Sequence, residues 1–283
     1  MIDWLLAIPG PGDREPLSTR LRYRGTLLAF DDFGRRDRPA VVLVHGWPLD
    51  RSIWSEVAPR LASAGFRVLA PDLPGFGESQ TLDTKNPTVE GFADAIASFM
   101  KRHVPRPAAL VGHSFGGYVA LAMAERTLRP LSGLGLVSSR AIADSEAARK
   151  GREETIGKVR AQGTAALLPG LAQRLLGPTA PASWKDEAAG VISRAKPDAV
   201  IAALRAMASR PDRSDALESF KGPLLILHGD ADALIPITEI SKPSRHVMLR
   251  ILPDVGHMPM WEAPESTAAA LNEWARAAHR VRS

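Results

Sequence analysis

The residues best placed for chemistry are Gly112-His113-Ser114-Phe115-Gly116. They stand directly after the apolar run Ala108–Val111 and directly before a helical stretch from Phe115 to Arg126. A serine between strand and helix in Gly-x-Ser-x-Gly spacing is held in a tight turn at positive φ. Residues two away on either side must then be tiny, and glycines stand there. The hydroxyl projects from the end of the strand as a nucleophile. The N–H of the next residue points into the same space at a helix N-terminus, where negative charge is stabilised. The chemistry implied is nucleophilic attack by Ser114, with His113 as a local support.

Such a turn needs a sheet behind it. Short, continuous, β-branched runs occur at Ala40–Val44, Phe66–Ala70, Ala108–Val111, Leu131–Ser138, Leu224–Leu227 and Val247–Leu252. Runs of this kind fit strands buried on both faces of a parallel sheet. Leu21–Phe30 alternates loosely and predicts an antiparallel edge strand or hairpin. Helical patterns over Ser52–Ala64, Val89–Arg102, Phe115–Arg126 and Ala263–Ala278 lie between or after the runs. The alternation predicts an α/β fold, a mostly parallel sheet with helices on both faces. From about Ala141 to Asp212 no strand-like run appears. Helical pieces at Glu153–Arg160, Ala165–Leu176 and Pro197–Ala208 predict a helical insertion over the carboxyl ends of the strands, where open α/β sheets bind ligands. Residues 1–20 carry three prolines and read as an arm.

The chain resembles the α/β-hydrolase family along nearly its whole length. The resemblance implies an eight-stranded-type sheet with a helical cap inserted after the sixth strand: residues 1–140 and 213–283 form the core, and 141–212 the cap. Further motifs follow in the family's order. His45-Gly46-Trp47-Pro48 is similar to the oxyanion loop, which gives the oxyanion to the Trp47 and Phe115 N–H groups. His45 reads as a brace. Asp72-Leu73-Pro74-Gly75-Phe76-Gly77-Glu78-Ser79 resembles a loop that buttresses that side. After Leu224–Leu227, the pattern Gly-x-x-Asp-x-x-x-Pro falls on Gly229, Asp232 and Pro236. It favours Asp232 as the triad acid, with Asp230 as the alternative and His228 as a strand-end residue. Gly256-His257, followed by Glu262-Ala263-Pro264, resembles the family's histidine loop and makes His257 the base. His103, His246 and His279 read as surface residues.

A serine, where related dehalogenases and epoxide hydrolases carry aspartate, implies acyl chemistry on an ester through an acyl-enzyme. The nearest resemblance is to small bacterial carboxylesterases, beside the lactonase and cofactor-free perhydrolase branches. A C–C bond hydrolase and a non-catalytic ligand sensor stay open. Trp47, Phe115, Trp184, Met207 and Met258 are the candidate substrate contacts, and the bulk of Trp47 and Phe115 predicts short acyl chains. Arg140 reads either as a contact for an acidic substrate or as a brace for the cap.

Composition narrows the alternatives. There are no cysteines among the 283 residues, which removes disulfides, thiolate nucleophiles and thiolate zinc sites. Lys plus Arg exceeds Asp plus Glu by 36 to 31, a dispersed excess that forms no nucleic-acid stripe. No apolar run approaches the roughly 18 residues of a membrane span. The apolar start, lacking a basic leader and followed by Pro9-Gly10, does not read as a signal peptide. The expectation is a cytoplasmic enzyme with no metal and no cofactor, a small-molecule ester or lactone as partner, and an oligomeric state the sequence does not set.

Overall fold

The apolar runs become strands, and all but the last bury both faces; Met248–Leu252 stands at the sheet edge and stays partly exposed. In the computed structural model, which describes residues 17–23, 26–82, 84–104, 107–240, 243 and 247–280, eight strands form one sheet. They are β1 (Leu17–Tyr23), β2 (Thr26–Phe33), β3 (Ala40–Val44), β4 (Arg67–Pro71), β5 (Ala108–His113), β6 (Leu131–Val137), β7 (Leu224–Gly229) and β8 (Met248–Leu252). Their spatial order is β1-β2-β4-β3-β5-β6-β7-β8. From β4 to β8 all neighbours are parallel, while β2 runs antiparallel to both β1 and β4. Every residue of β3, β4, β5 and β7 is buried, as continuous apolar runs require.

The helices are α1 (Val57–Ser63), α2 (Val89–His103), α3 (Phe115–Glu125), α4 (Glu146–Gln162), α5 (Leu168–Arg174), α6 (Ala182–Arg194), α7 (Pro197–Ser209), α8 (Ser214–Ser219), α9 (Pro259–Glu262) and α10 (Pro264–Arg280). On α2 the buried residues Val89, Phe92, Ala93, Ile96, Phe99 and Met100 follow the helical repeat and make one apolar stripe. Thr88 caps its start by accepting from Gly91 N–H. α1 packs with α10, and α2 and α8 pack with α3. Both α3 and α10 touch β5 and β6, one on each face of the sheet. Helices α4 to α8 stand between β6 and β7 in the chain.

Several expectations shift for local reasons. Ser52–Ala64 is a 3-10 turn at Arg51–Trp54 followed by α1, because Pro59 has no N–H to donate and fits only the first turn of a helix. Pro169 divides Ala165–Leu176 in the same way, into a 3-10 turn and α5. α4 begins earlier than the expected Glu153 because Ser145 caps it at Ala148 N–H. Residues 17–20 are not arm but part of β1, paired with β2 in a hairpin. The rest of the expected arm, residues 1–16, lies outside the described residues. Among the described residues no helix is long and apolar enough to cross a membrane.

Candidate active site

Parallel strands end together, so the loops after β3, β5, β7 and β8 meet on one rim. Ser114 links β5 to α3 with φ at 51°. The left-handed region costs a non-glycine residue about 1–3 kcal/mol and persists only where the surroundings enforce it. They do so here. Ser114 N–H donates to Val137 O at 2.9 Å, and its carbonyl accepts from Gly117 N–H at 2.9 Å and Ser139 Oγ at 2.8 Å. A Cβ on Gly112 would overlap the Gly116 carbonyl, and one on Gly116 would stand 2.5 Å from Val44 O. Glycine is therefore required at both positions for the turn to close.

The loop after β3 is fixed by His45. Its Nε2 accepts Leu73 N–H at 2.8 Å, so Nδ1 carries the proton and donates to Gly46 O at 2.9 Å. Both ring nitrogens are used, and burial pushes the group below the ordinary histidine range. Beyond it, Trp47 donates its indole N–H to Val200 O on α7 at 3.3 Å. Among the described residues, neither the Trp47 nor the Phe115 backbone N–H donates to a backbone carbonyl. The neighbouring loop is organised by buried Asp72, which accepts from Arg51 N–H at 2.8 Å and Glu78 N–H at 2.9 Å and pairs with the Arg51 guanidinium.

After β7 the two aspartates separate. Asp230 is exposed and closes a turn, accepting Asp254 N–H at 2.7 Å. Asp232 is buried. Its Oδ1 accepts Leu234 N–H at 2.8 Å and Ile235 N–H at 2.9 Å, and its Oδ2 lies 2.7 Å from His257 Nδ1. Burial alone would raise its pKa, but His257 and the backbone donors hold it below the usual carboxylate range. His257 belongs to the loop after β8. Its carbonyl accepts from His113 Nε2 at 2.9 Å, which ties the histidine loop to the residue beside Ser114. Among the described residues no hydrogen bond reaches His257 Nε2.

The remaining expected contacts divide. Trp184 on α6 is half-buried and stacks on Trp261, with ring centroids 5.4 Å apart and 17° between planes. Met207 on α7 is buried. Phe115 and Met258 are enclosed by the surrounding structure. Both side chains are fully buried, and the Phe115 ring meets Phe92 edge-on at 5.0 Å. Arg140 pairs with Asp144 and Glu239, which makes it a brace. His103 and His279 are half-buried rather than surface residues: His103 lies between Phe30 and Phe99, and His279 bonds Ala40 O at 3.2 Å. His246 lies outside the described residues. Two contacts go beyond what motif spacing discloses: the Glu262 carboxylate accepts from Gly177, Gly256 and Met258 N–H, and the strand-end His228 is a second histidine beside Asp232.

Comparison with known proteins bears on the family and the fold. Residues 41–270 match the model of the alpha/beta hydrolase family. A pimeloyl-[acyl-carrier protein] methyl ester esterase of Sodalis glossinidius is 31% identical over 88% of this chain and 98% of its own. The enzyme of the same description from Aromatoleum aromaticum is 28% identical over 85% of this chain and 99% of its own. Among solved structures, a thermophilic esterase from Thermogutta terrifontis superposes with a TM-score of 0.83 at 34% identity, covering 94% of this chain and 99% of its own.

Proposed function

The chain belongs to the alpha/beta hydrolase family, and from that premise we propose that it hydrolyses small carboxylic esters through an acyl-enzyme on Ser114. The observation that carries the reading is the 2.7 Å contact between His257 Nδ1 and buried Asp232, in a loop bonded to the serine turn through His113. An imidazole oriented in this way holds its Nδ1 proton and turns Nε2 into a base.

The steps balance without a further reagent. Ser114 Oγ bonds to the ester carbonyl carbon as His257 Nε2 takes its proton, and the carbonyl electron pair moves onto oxygen. The Trp47 and Phe115 N–H groups donate to that oxyanion, each worth about 3 kcal/mol in such sites. The oxyanion collapses, the C–O bond to the alcohol breaks, and His257 gives the alcohol its proton. Water then attacks the acyl carbon as His257 removes its proton, and the acid leaves as Ser114 regains one. Asp232 keeps the tautomer and stabilises the imidazolium.

Residues 141–212 act as a cap on the core formed by the rest. The relatives named for a methyl ester support a small leaving alcohol. Trp47, half-buried and tied to α7, supports short acyl chains. A p-nitrophenyl ester series tests the reading. Acetate and butyrate turn over fastest, and Ser114→Ala lowers kcat by about 10⁶-fold while the melting temperature holds. Retained activity in that variant, or preference for chains of twelve or more carbons, overturns the respective part.

A further inference from the structure

Glu262 ends α9 and turns its carboxylate inward. Its Oε2 accepts Gly177 N–H at 2.6 Å, its Oε1 accepts Met258 N–H at 3.2 Å, and both oxygens lie 3.1 Å from Gly256 N. Gly256 and Met258 are the two neighbours of His257. Gly177 belongs to the segment joining α5 and α6. The His257 N–H donates to Leu175 O in that same segment at 2.9 Å. Three consecutive N–H groups around the imidazole are thus committed, and both receivers are anchored in the helical insertion.

The two backbones also approach too closely for any side chain. A Cβ on Gly177 would stand 2.5 Å from Asp254 O, and one on Gly256 would stand 2.5 Å from the Leu176 carbonyl carbon. One residue before Glu262, Trp261 carries the stacked Trp184 of α6. Burial works to raise the Glu262 pKa, and the backbone donors oppose it only in part. A half-buried carboxylate receiving three amide protons is a directional anchor rather than a chance surface pair.

We propose that Glu262 is a positioning residue for His257 and fastens the imidazole loop to the helical insertion, so the insertion sets where the base stands as well as covering it. The inference rests on the reading of His257 as the base. A displacement of about 1 Å at a catalytic group costs on the order of 10²-fold in rate. The anchor therefore acts on turnover more than on binding.

The test compares Glu262→Ala and Glu262→Gln with wild type and with Glu265→Gln, where Glu265 is an exposed carboxylate on α10 paired to Arg60 of α1. The readouts are kcat and KM for p-nitrophenyl acetate, the downfield proton resonance of the His257 Nδ1–H, and the melting curve. Glu262→Ala lowers kcat by about 10²-fold, changes KM little, and shifts or broadens the resonance. Glu262→Gln loses less, because its oxygen still accepts from the histidine loop while its amide faces Gly177 N–H. Glu265→Gln matches wild type. Folded Glu262 variants with wild-type kcat and an unmoved resonance overturn the proposal. So does failure of both to fold, since a residue on which the whole fold depends is not a positioning residue. If hydrolysis does not depend on Ser114 and His257, the underlying reading fails; if it depends on them and not on Glu262, only this inference fails.

Discussion

His228 and His257 meet the same oxygen: Asp232 Oδ2 lies 2.7 Å from His257 Nδ1 and 3.3 Å from His228 Nε2. The shorter bond of His228 Nε2 runs to Ile235 O at 2.8 Å, so that nitrogen carries the proton. Its Nδ1 is buried without a hydrogen-bond partner. Burial pushes the His228 pKa down, against the pull of Asp232, and the ring stays neutral. A second donor on Oδ2 withdraws charge that would otherwise support the His257 imidazolium. The other charged or titratable groups near this pair are His113 and Glu262. His228→Leu leaves Asp232 Oδ2 to His257 alone, and kcat rises by about 2-fold. Stability falls by about 1–3 kcal/mol because Ile235 O loses its donor. An unchanged kcat would show that His228 only packs.

The two aspartates after β7 give the sharpest contrast. Asp232→Asn keeps the shape but lets the amide donate to Nδ1, which favours the wrong imidazole tautomer, and kcat falls by about 10⁴-fold. Asp230→Asn keeps an oxygen for Asp254 N–H and leaves kcat near wild type. Steady-state kinetics on one ester separates them. A larger loss at 230 would reverse the assignment of the acid.

Much of this site was legible because sharp turns and buried strands leave narrow choices of residue. Gly112 and Gly116 could be read because a Cβ at either would strike backbone. Asp232 could be preferred over Asp230 from spacing alone, and the 2.7 Å contact falls on the preferred residue. The sequence does not disclose what Glu262 holds, because its partners Gly177 and Gly256 lie far apart along the chain and meet only through tertiary packing. The Glu262-Ala263-Pro264 motif marks the residue but not its contacts, and a lone glycine in a loop does not name its neighbour. The direction of the Phe115 side chain is hidden in the sequence for a related reason. Its backbone faces the site, but the side chain of the first residue in α3 turns into the core against Phe92. Proline rules would have divided Ser52–Ala64 and Ala165–Leu176 correctly. α6 was missed because Gly190 interrupts its pattern at a helical cost of about 1 kcal/mol, which packing of Ala188, Val191 and Ile192 overrides.

Acid should weaken the fold well above the carboxylate range. Burial holds His45, His113, His228 and His279 below the ordinary histidine value, and burial with nearby Arg102 and Arg67 takes His103 to about 4. The unfolded chain binds protons at these groups near pH 6.5, whereas the native state does not. Stability therefore declines as pH drops below about 6.5, by up to about 1.4 kcal/mol per pH unit for each histidine that stays neutral. Asp72 and Glu262, raised mainly by burial, work the other way at lower pH, where the native state takes their protons first. Melting temperatures at pH 7.5, 6.5 and 5.5 should fall in that order. A flat series would mean the histidines are protonated in the native state.

Asp144 offers the last prediction, at the neck of the insertion. Its side chain is fully buried and receives Arg210 at 2.7 Å, Arg140 at 3.2 Å and the Arg152 guanidinium. Arg140 precedes the insertion, Arg152 lies on α4, and Arg210 follows α7, so one carboxylate holds both ends together. Burial would raise Asp144, but the arginines hold it down at about 2. Its contribution is therefore complete above the unfolded value of 3.8 and is lost as pH falls toward 2. Arg210 is itself buried, lies 3.9 Å above the Tyr118 ring, and donates to Met207 O and Ile142 O. Asp144→Asn leaves that guanidinium without its counter-charge and should cost about 3–5 kcal/mol in urea unfolding, with faster proteolysis within 141–212. Replacing Asp144 and Arg210 together by leucine and methionine should recover most of the loss, because the uncompensated charge goes with the pair. A single variant within about 1 kcal/mol of wild type would show that Glu239 and the backbone carbonyls hold the arginines without Asp144.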